Sequence, residues 1–178
     1  MTEQNQANRL EESSPPWWQR VLIGRRPKRT LIRLVILIGV SFFVFKVVLL
    51  PIRIEGISMA PTYQSGGVNF LNRMPYWFDK PQRGDVVGIK ITGIHVMYLK
   101  RVVGLPGERI AIRDGVVLIN GEPLDEPYVR FPKAPWKRPE VLLGQDEYFV
   151  AGDNRQMRME DHTLPKVAAR RIVGKVLY

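Results

Sequence analysis

His95-Val96-Met97-Tyr98-Leu99-Lys100-Arg101-Val102-Val103, closed by Gly104-Leu105-Pro106-Gly107, is the stretch whose reading decides the fold. A run rich in β-branched and aromatic side chains, stopped by a Gly/Pro cluster, reads as one long strand. Just beyond it, Arg109-Ile110-Ala111-Ile112 and Val116-Val117-Leu118-Ile119 flank Arg113-Asp114-Gly115, the pattern of a β-hairpin with an Asp-Gly turn. Asn120-Gly121 makes a second turn. Further out, Ile52-Arg53-Ile54-Glu55 and parts of Asp85–Ile91 alternate, while Glu147–Val150 and Arg171–Leu177 read as later strands. Outside residues 31–52 no stretch carries the period of a long amphipathic helix, apart from a turn or two around Pro165–Arg171. The expected fold is mainly β: an antiparallel sheet domain without internal repeats.

The exception lies upstream. Leu31 to Ile52 reads LIRLVILIGVSFFVFKVVLLPI, interrupted only by Arg33 near its start and Lys46 near its end, where each can snorkel toward headgroups. About 20 apolar residues span a bilayer core. A buried core helix of this character needs a larger protein around it. A cleaved signal sequence needs a small-x-small site, and Leu49-Leu50-Pro51-Ile52 offers none. One retained transmembrane helix over 31–52 is therefore expected, dividing the chain into a tail (1–30), an anchor (31–52) and a β-rich domain (53–178). Arg20, Arg25, Arg26, Lys28, Arg29 and Arg33 crowd its N-terminal side, which predicts a cytoplasmic tail and an extracytoplasmic domain in the plasma (inner) membrane. Residues 1–16 are polar and read as disordered, and Trp17-Trp18 suit either the inner interface or a linker.

Composition narrows the chemistry. The chain has 178 residues, 45% hydrophobic and 25% charged, enough for one ordinary domain and too apolar for general disorder. Its net charge of +10 raises the possibility of nucleic acid, but the basic cluster flanks an apolar run, which suits a membrane better; no nucleic-acid partner is expected. The absence of cysteine excludes disulfides, a Cys-ligated zinc and a thiol nucleophile, and two histidines leave little for an imidazole metal site. No metal and no organic cofactor are expected.

The chemistry on offer is a serine and a lysine. Ser58, in Glu55-Gly56-Ile57-Ser58-Met59-Ala60-Pro61-Thr62, follows a short strand a few residues beyond the apolar run. A serine hydroxyl needs a nearby base to become a nucleophile, and a lysine serves when its amine is neutral. Burial lowers a lysine pKa, and Lys100 lies among apolar neighbours. Alternation sets Lys100 with Tyr98 and Val102 on one face, Leu99 and Arg101 on the other. Taken singly, each signal is ordinary: serines occupy turns, and strand lysines are commonly solvated. A triad of Ser58 with Asp161-His162 has less behind it than the lysine.

Four segments, in order, sharpen the reading: Ser58-Met59-Ala60-Pro61-Thr62, Arg83-Gly84-Asp85-Val86-Val87, Tyr98 through Gly107-Glu108, and Gly152-Asp153-Asn154-Arg155. Together they resemble the sequence boxes of type I signal peptidases, membrane-bound Ser–Lys endopeptidases, with a poorer match around Phe131–Gln145. The resemblance implies Ser58 as acylating nucleophile and Lys100 as general base. It also implies an oxyanion site from backbone donors at Ser58 and Gly56; at the latter position some members carry a serine whose hydroxyl assists. The implied substrates are secreted preproteins whose signal sequences end in small residues. These would dock as an extended strand over a pocket to which Ile54, Met59 and Tyr98 contribute, with Asp153, Asn154, Arg158, Glu160 and His162 supporting the site.

The chain departs from the family pattern after Gly152-Asp153-Asn154. The usual serine and Asp–Arg pair fall on Arg158, Glu160, Asp161 and His162. Arg158 cannot accept a hydrogen bond from the lysine, so it is expected to point outward, while Glu160 and His162 can pair. These changes suggest a specialised or slow enzyme. Two alternatives stay open: a processing peptidase for one substrate class, and a non-catalytic relative that binds signal sequences. A self-cleaving repressor shares the Ser–Lys pair, but here an anchor stands where a DNA-binding segment would be. Met74-Pro75-Tyr76-Trp77-Phe78 reads either as core or as a loop dipping into the outer leaflet.

Overall fold

The computed structural model describes residues 27–92, 96–130, 133–161 and 165–177. Trp17, Trp18, the basic residues before Pro27, His95 and His162 lie outside them. Helix α1 (Pro27–Phe43) runs into a π-helical turn, Val44–Val48. Lys28–Val48 is long and apolar enough to cross a membrane, and its large apolar side chains from Leu31 to Phe43 are exposed, consistent with a membrane anchor. The helix starts before the expected Leu31 and stops short of Ile52, because Leu49–Arg53 forms strand β1. Pro51 cannot extend a helix, and it sits on an edge strand, where its missing N–H is tolerated. The chain divides into two compact units between Val44 and Phe45.

The second unit is built of antiparallel pairs. After β1 come β2 (Val68–Asn72), a single helical turn α2 (Pro75–Phe78), β3 (Val86–Thr92) and β4 (Val96–Gly104). Then follow β5 (Arg109–Arg113), β6 (Val116–Ile119), β7 (Glu122–Pro123) and β8 (Arg138–Leu142). Strands β9 (Glu147–Ala151), β10 (Lys166–Ala168) and β11 (Ile172–Val176) close the chain. One sheet has the order β1-β2-β11-β3-β4-β9-β10, the other β7-β6-β5-β8. Asp114 and Gly115 (φ 47° and 80°), like Asn120 and Gly121 (φ 52° and 90°), adopt the left-handed pairs that two-residue hairpins demand. Those turns set the register Ile112↔Val117 and Ile119↔Glu122.

Three apolar clusters hold the unit together. Val86 packs with Ile54, Met59, Leu71 and Val176, whereas its neighbour Val87 packs with Ile89, Val102, Tyr148 and Val150. Strand β3 is thus buried on both faces. The third cluster, with Val103, Ile110, Ile112, Trp136 and Phe149, joins the smaller sheet to β4 and β9. The first cluster also takes in Leu50 and Ile52 of β1 with Met97 and Leu99 of β4, so the large sheet curls until its first strand meets β4.

Candidate active site

Ser58 lies in the turn that follows β1. Ile54 N–H donates to Gly67 O (2.8 Å) and Gly66 N–H to Ile54 O (2.7 Å), carrying the β1–β2 ladder one step further. The chain then turns: Ala60 N–H meets Ile57 O at 3.0 Å and Tyr63 N–H meets Met59 O at 3.0 Å, with Ser58 half-buried at the bend. Asn154 grips this bend twice, its backbone N–H donating to Ser58 O (3.0 Å) and its Nδ2 to Ile57 O (3.1 Å). Among the described residues, Ser58 N–H has no hydrogen-bond acceptor, which leaves it open to an incoming carbonyl oxygen. Gly56 N–H instead donates to Ser65 Oγ (3.2 Å). That bond removes Gly56 from the backbone donors expected for an oxyanion.

Lys100 stands in the middle of β4, 3% exposed. It is the register partner of Val87, which sets it on the face of Val87 and Val102; Arg101, opposite Val86, is on the other. Removal from water lowers its pKa from 10.5 to about 8. Strand β9 pairs with β4 only from Arg101 onward, so from Lys100 back to Val96 the strand is paired to β3 alone among the described ladders. Beyond the last β9 residue, Gly152–Asn154 swings toward Ser58.

Arg101 ties these pieces together. It forks onto Asp153, Nε to Oδ1 at 2.8 Å and Nη2 to Oδ2 at 2.6 Å, and its Nη1 donates to Gly84 O at 2.7 Å. Thr62 Oγ1 donates to the same Asp153 Oδ2 at 2.6 Å. The four sequence boxes therefore meet at the Arg101–Asp153 pair, three at its carboxylate and the fourth, through Gly84 O, at its guanidinium. A second buried pair backs the first: Arg155 forks onto Glu126, which also receives Tyr128 Oη (3.0 Å) and Lys133 Nζ (3.1 Å). Arg155 Nε caps Gly152 O at 2.9 Å, and the Arg101 guanidinium lies 4.2 Å over the Tyr128 ring. Thr62 lies inside the first motif, whereas Glu126 and Tyr128 fall outside all four and were not legible as site residues. The one hint was Glu126-Pro127-Tyr128, an acid and a phenol beside a turn in an otherwise exposed stretch.

A groove of about 440 Å³ opens between Leu50–Glu55 on one side and Met97, Tyr98 and Leu99 on the other, with Gly88 in its lining. Ile54 and Tyr98, both expected at a pocket, line it. Met59 is 2% exposed and packs beside Ile54 in the cluster below. Arg158 points away, 80% exposed, its Nε 3.2 Å from Asp161 Oδ2. Glu160 is exposed and borders a separate cavity with Trp136 and Arg138, apart from the Asp153 network. The expected Glu160–His162 pair falls outside the described residues. Among those residues no cluster of His, Asp and Glu suited to a metal ion occurs.

A twisted antiparallel domain with a serine turn held by Asn154, a buried lysine in β4, an Arg–Asp fork and a strand-sized groove is compatible with a serine hydrolase. Residues 28–178 match the family model "Signal peptidase, peptidase S26". The chain is 31% identical over 172 residues to the probable signal peptidase I-2 of Synechocystis sp., covering 93% of this chain and 75% of that protein. It is 33% identical over 157 residues to signal peptidase I of Bacillus amyloliquefaciens, covering 83% and 79%. The crystal structure of a signal peptidase I from Enterococcus faecalis V583 is 26% identical, with a TM-score of 0.44 over 56% of this chain and 98% of that one. The chain belongs to the signal peptidase family, peptidase S26, a family of serine endopeptidases, and its activity is the cleavage of signal peptides.

Proposed function

We propose that Ser58 is the nucleophile and Lys100 the general base of this peptidase. The observation that carries the reading is the dry amine of Lys100, next in β4 to an arginine linked through Asp153 and Asn154 to the Ser58 backbone. A pKa near 8 leaves a usable fraction of the amine neutral at physiological pH. Neutral Nζ takes the Ser58 Oγ proton as Oγ bonds to the scissile carbonyl carbon. The oxyanion that forms receives Ser58 N–H, a preorganised donor of a kind worth roughly 3 kcal/mol of barrier. The ammonium returns its proton to the leaving amine, and the ester is then hydrolysed by a water deprotonated by the same lysine. The outer edges of β1 and of Met97–Leu99 in β4, beyond which no further strand is described, suit an extended substrate segment that adds backbone hydrogen bonds to both. Ile54, Leu99 and Tyr98 then meet its small side chains.

The substrates in this reading are secreted preproteins. The helix ending at Val48 is a retained anchor, with the tail before it in the cytoplasm and the β domain on the extracytoplasmic side. Ser58→Ala and Lys100→Met are expected to abolish cleavage of a purified preprotein equally, with the folded domain retained by circular dichroism. Unchanged processing in both variants, read by mass spectrometry of mature N-termini, would replace catalysis with a binding role.

A further inference from the structure

We propose that Glu126 and Tyr128, on a turn outside the four motifs, are positioning residues for the reaction: acting through Arg155 and Arg101, they set where the Ser58 turn meets β4. This rests on the reading of Ser58 as nucleophile and Lys100 as base. The turn is encoded locally. Pro127 presets φ at its second position, and Val129 N–H closes it onto Glu126 O (3.0 Å). Leu124 N–H, donating to Val117 O at 2.9 Å, ties the approach to β6. The turn carries the Glu126 carboxylate inward, where its side chain is 0% exposed and that of its partner Arg155 is 1% exposed.

A buried ion pair is a poor source of stability, because taking both charges out of water offsets their attraction, and apolar side chains often serve as well. What apolar side chains lack is direction. With two nitrogens held by Glu126, Arg155 aims its third, Nε, at Gly152 O (2.9 Å). The guanidinium carbon lies 5.4 Å from the centroid of the Trp136 ring, and Ala134 N–H holds Arg155 O at 2.9 Å. Gly152 is where the chain leaves β9 for the site, so fixing its carbonyl orients the two residues that follow. Asp153 accepts the fork of Arg101, the neighbour of Lys100, and Asn154 donates to Ser58 O and Ile57 O. Tyr128 meets the same junction directly, its hydroxyl donating to Glu126 Oε1 (3.0 Å) and its ring 4.2 Å from the Arg101 guanidinium. Burial, with the Glu126 charge beside it, holds that phenol well above its usual pKa range, so it stays a donor. One turn therefore steadies both arginines, and with them the serine bend and the lysine strand.

The test separates positioning from mere support of the fold. The full chain in detergent is assayed on a purified preprotein, each variant well below its own Tm, with Ser58→Ala alongside. Cleavage by Ser58→Ala overturns the nucleophile reading and this inference with it; the other outcomes bear on this inference alone. Glu126→Met/Arg155→Met exchanges the pair for unbranched apolar chains. It is expected to keep the parent Tm to within a few degrees, while kcat falls roughly 10- to 100-fold at unchanged KM, the mark of misplaced reacting groups. Parent kcat in this folded double variant makes the pair structural only and overturns the inference, as does a rise in KM alone. Should the double variant not fold, Tyr128→Leu decides, since it removes both the hydroxyl on Glu126 and the ring over Arg101 without stranding a charge. Its kcat is expected to fall about tenfold at unchanged KM. Parent kcat in Tyr128→Leu overturns the inference.

Discussion

Taking an ammonium out of water disfavours its charged form, and at Lys100 this acts on catalysis and on stability in opposite senses. In the proposed mechanism the neutral amine is the base, so kcat/KM for a preprotein is expected to rise with pH and level off above about 8. A profile flat from pH 6 to 9 would remove Lys100 from that role. The folded-state pKa lies below the unfolded value of 10.5, so the unfolded chain binds the proton more tightly between about 8 and 10.5. Stability therefore rises with pH across that window, and below it the full penalty is present. Lys100→Met is expected to stabilise the protein at pH 7 by up to about 3 kcal/mol while ending catalysis, a gain that fades toward pH 10.5. Chemical denaturation at both pH values measures it.

Between elements, packing depends on close approaches and buried charge. A Cβ on Gly174 of β11 would sit 2.7 Å from the backbone oxygen of Asn72 in β2, and a backbone oxygen inside a ladder cannot step aside. Gly174→Ala is expected to destabilise by about 1–3 kcal/mol, read as a lowered Tm. Asp153 joins the Ser58 turn to β4 through Arg101 and Thr62, with every partner but Thr62 largely buried. Asp153→Ala strands the Arg101 guanidinium in a dry site without its carboxylate, and is expected to lower stability by about 3–5 kcal/mol. Loss of cleavage should accompany it even under conditions where the variant is folded. Much at this scale was legible. The long strand, the Asp-Gly and Asn-Gly hairpins and the exposed Arg158 follow from turn chemistry, alternation and the inventory of donors. The end of the anchor was missed, because apolar residues such as Leu49, Leu50 and Ile52 suit a membrane helix and an edge strand alike, and hydrogen bonding of β1 to β2 decides between them.

For the molecule as a whole, the question is which side of the membrane holds the groove. A cysteine at Glu140, on an exposed strand, is expected to react in intact cells stripped of any outer barrier with a membrane-impermeant maleimide. One at Glu11 is expected to react only after lysis. The reverse pattern would invert the topology read from the basic flank.

What the linear order of residues determined by itself was local and chemical: an apolar run of membrane length, β patterning with its hairpins, and motifs that single out Ser58 and Lys100. Periodicity and turn propensity act over a few residues and are written directly in the chain. Only the tertiary structure decided that the large sheet curls to bring β1 to β4, that the motifs meet at the Arg101–Asp153 pair, and that Gly56 N–H is already taken by Ser65. It also decided that Glu126 and Arg155 form the buried pair beneath. These depend on which distant surfaces exclude water together, and burial is a property of the assembled fold that no local pattern encodes.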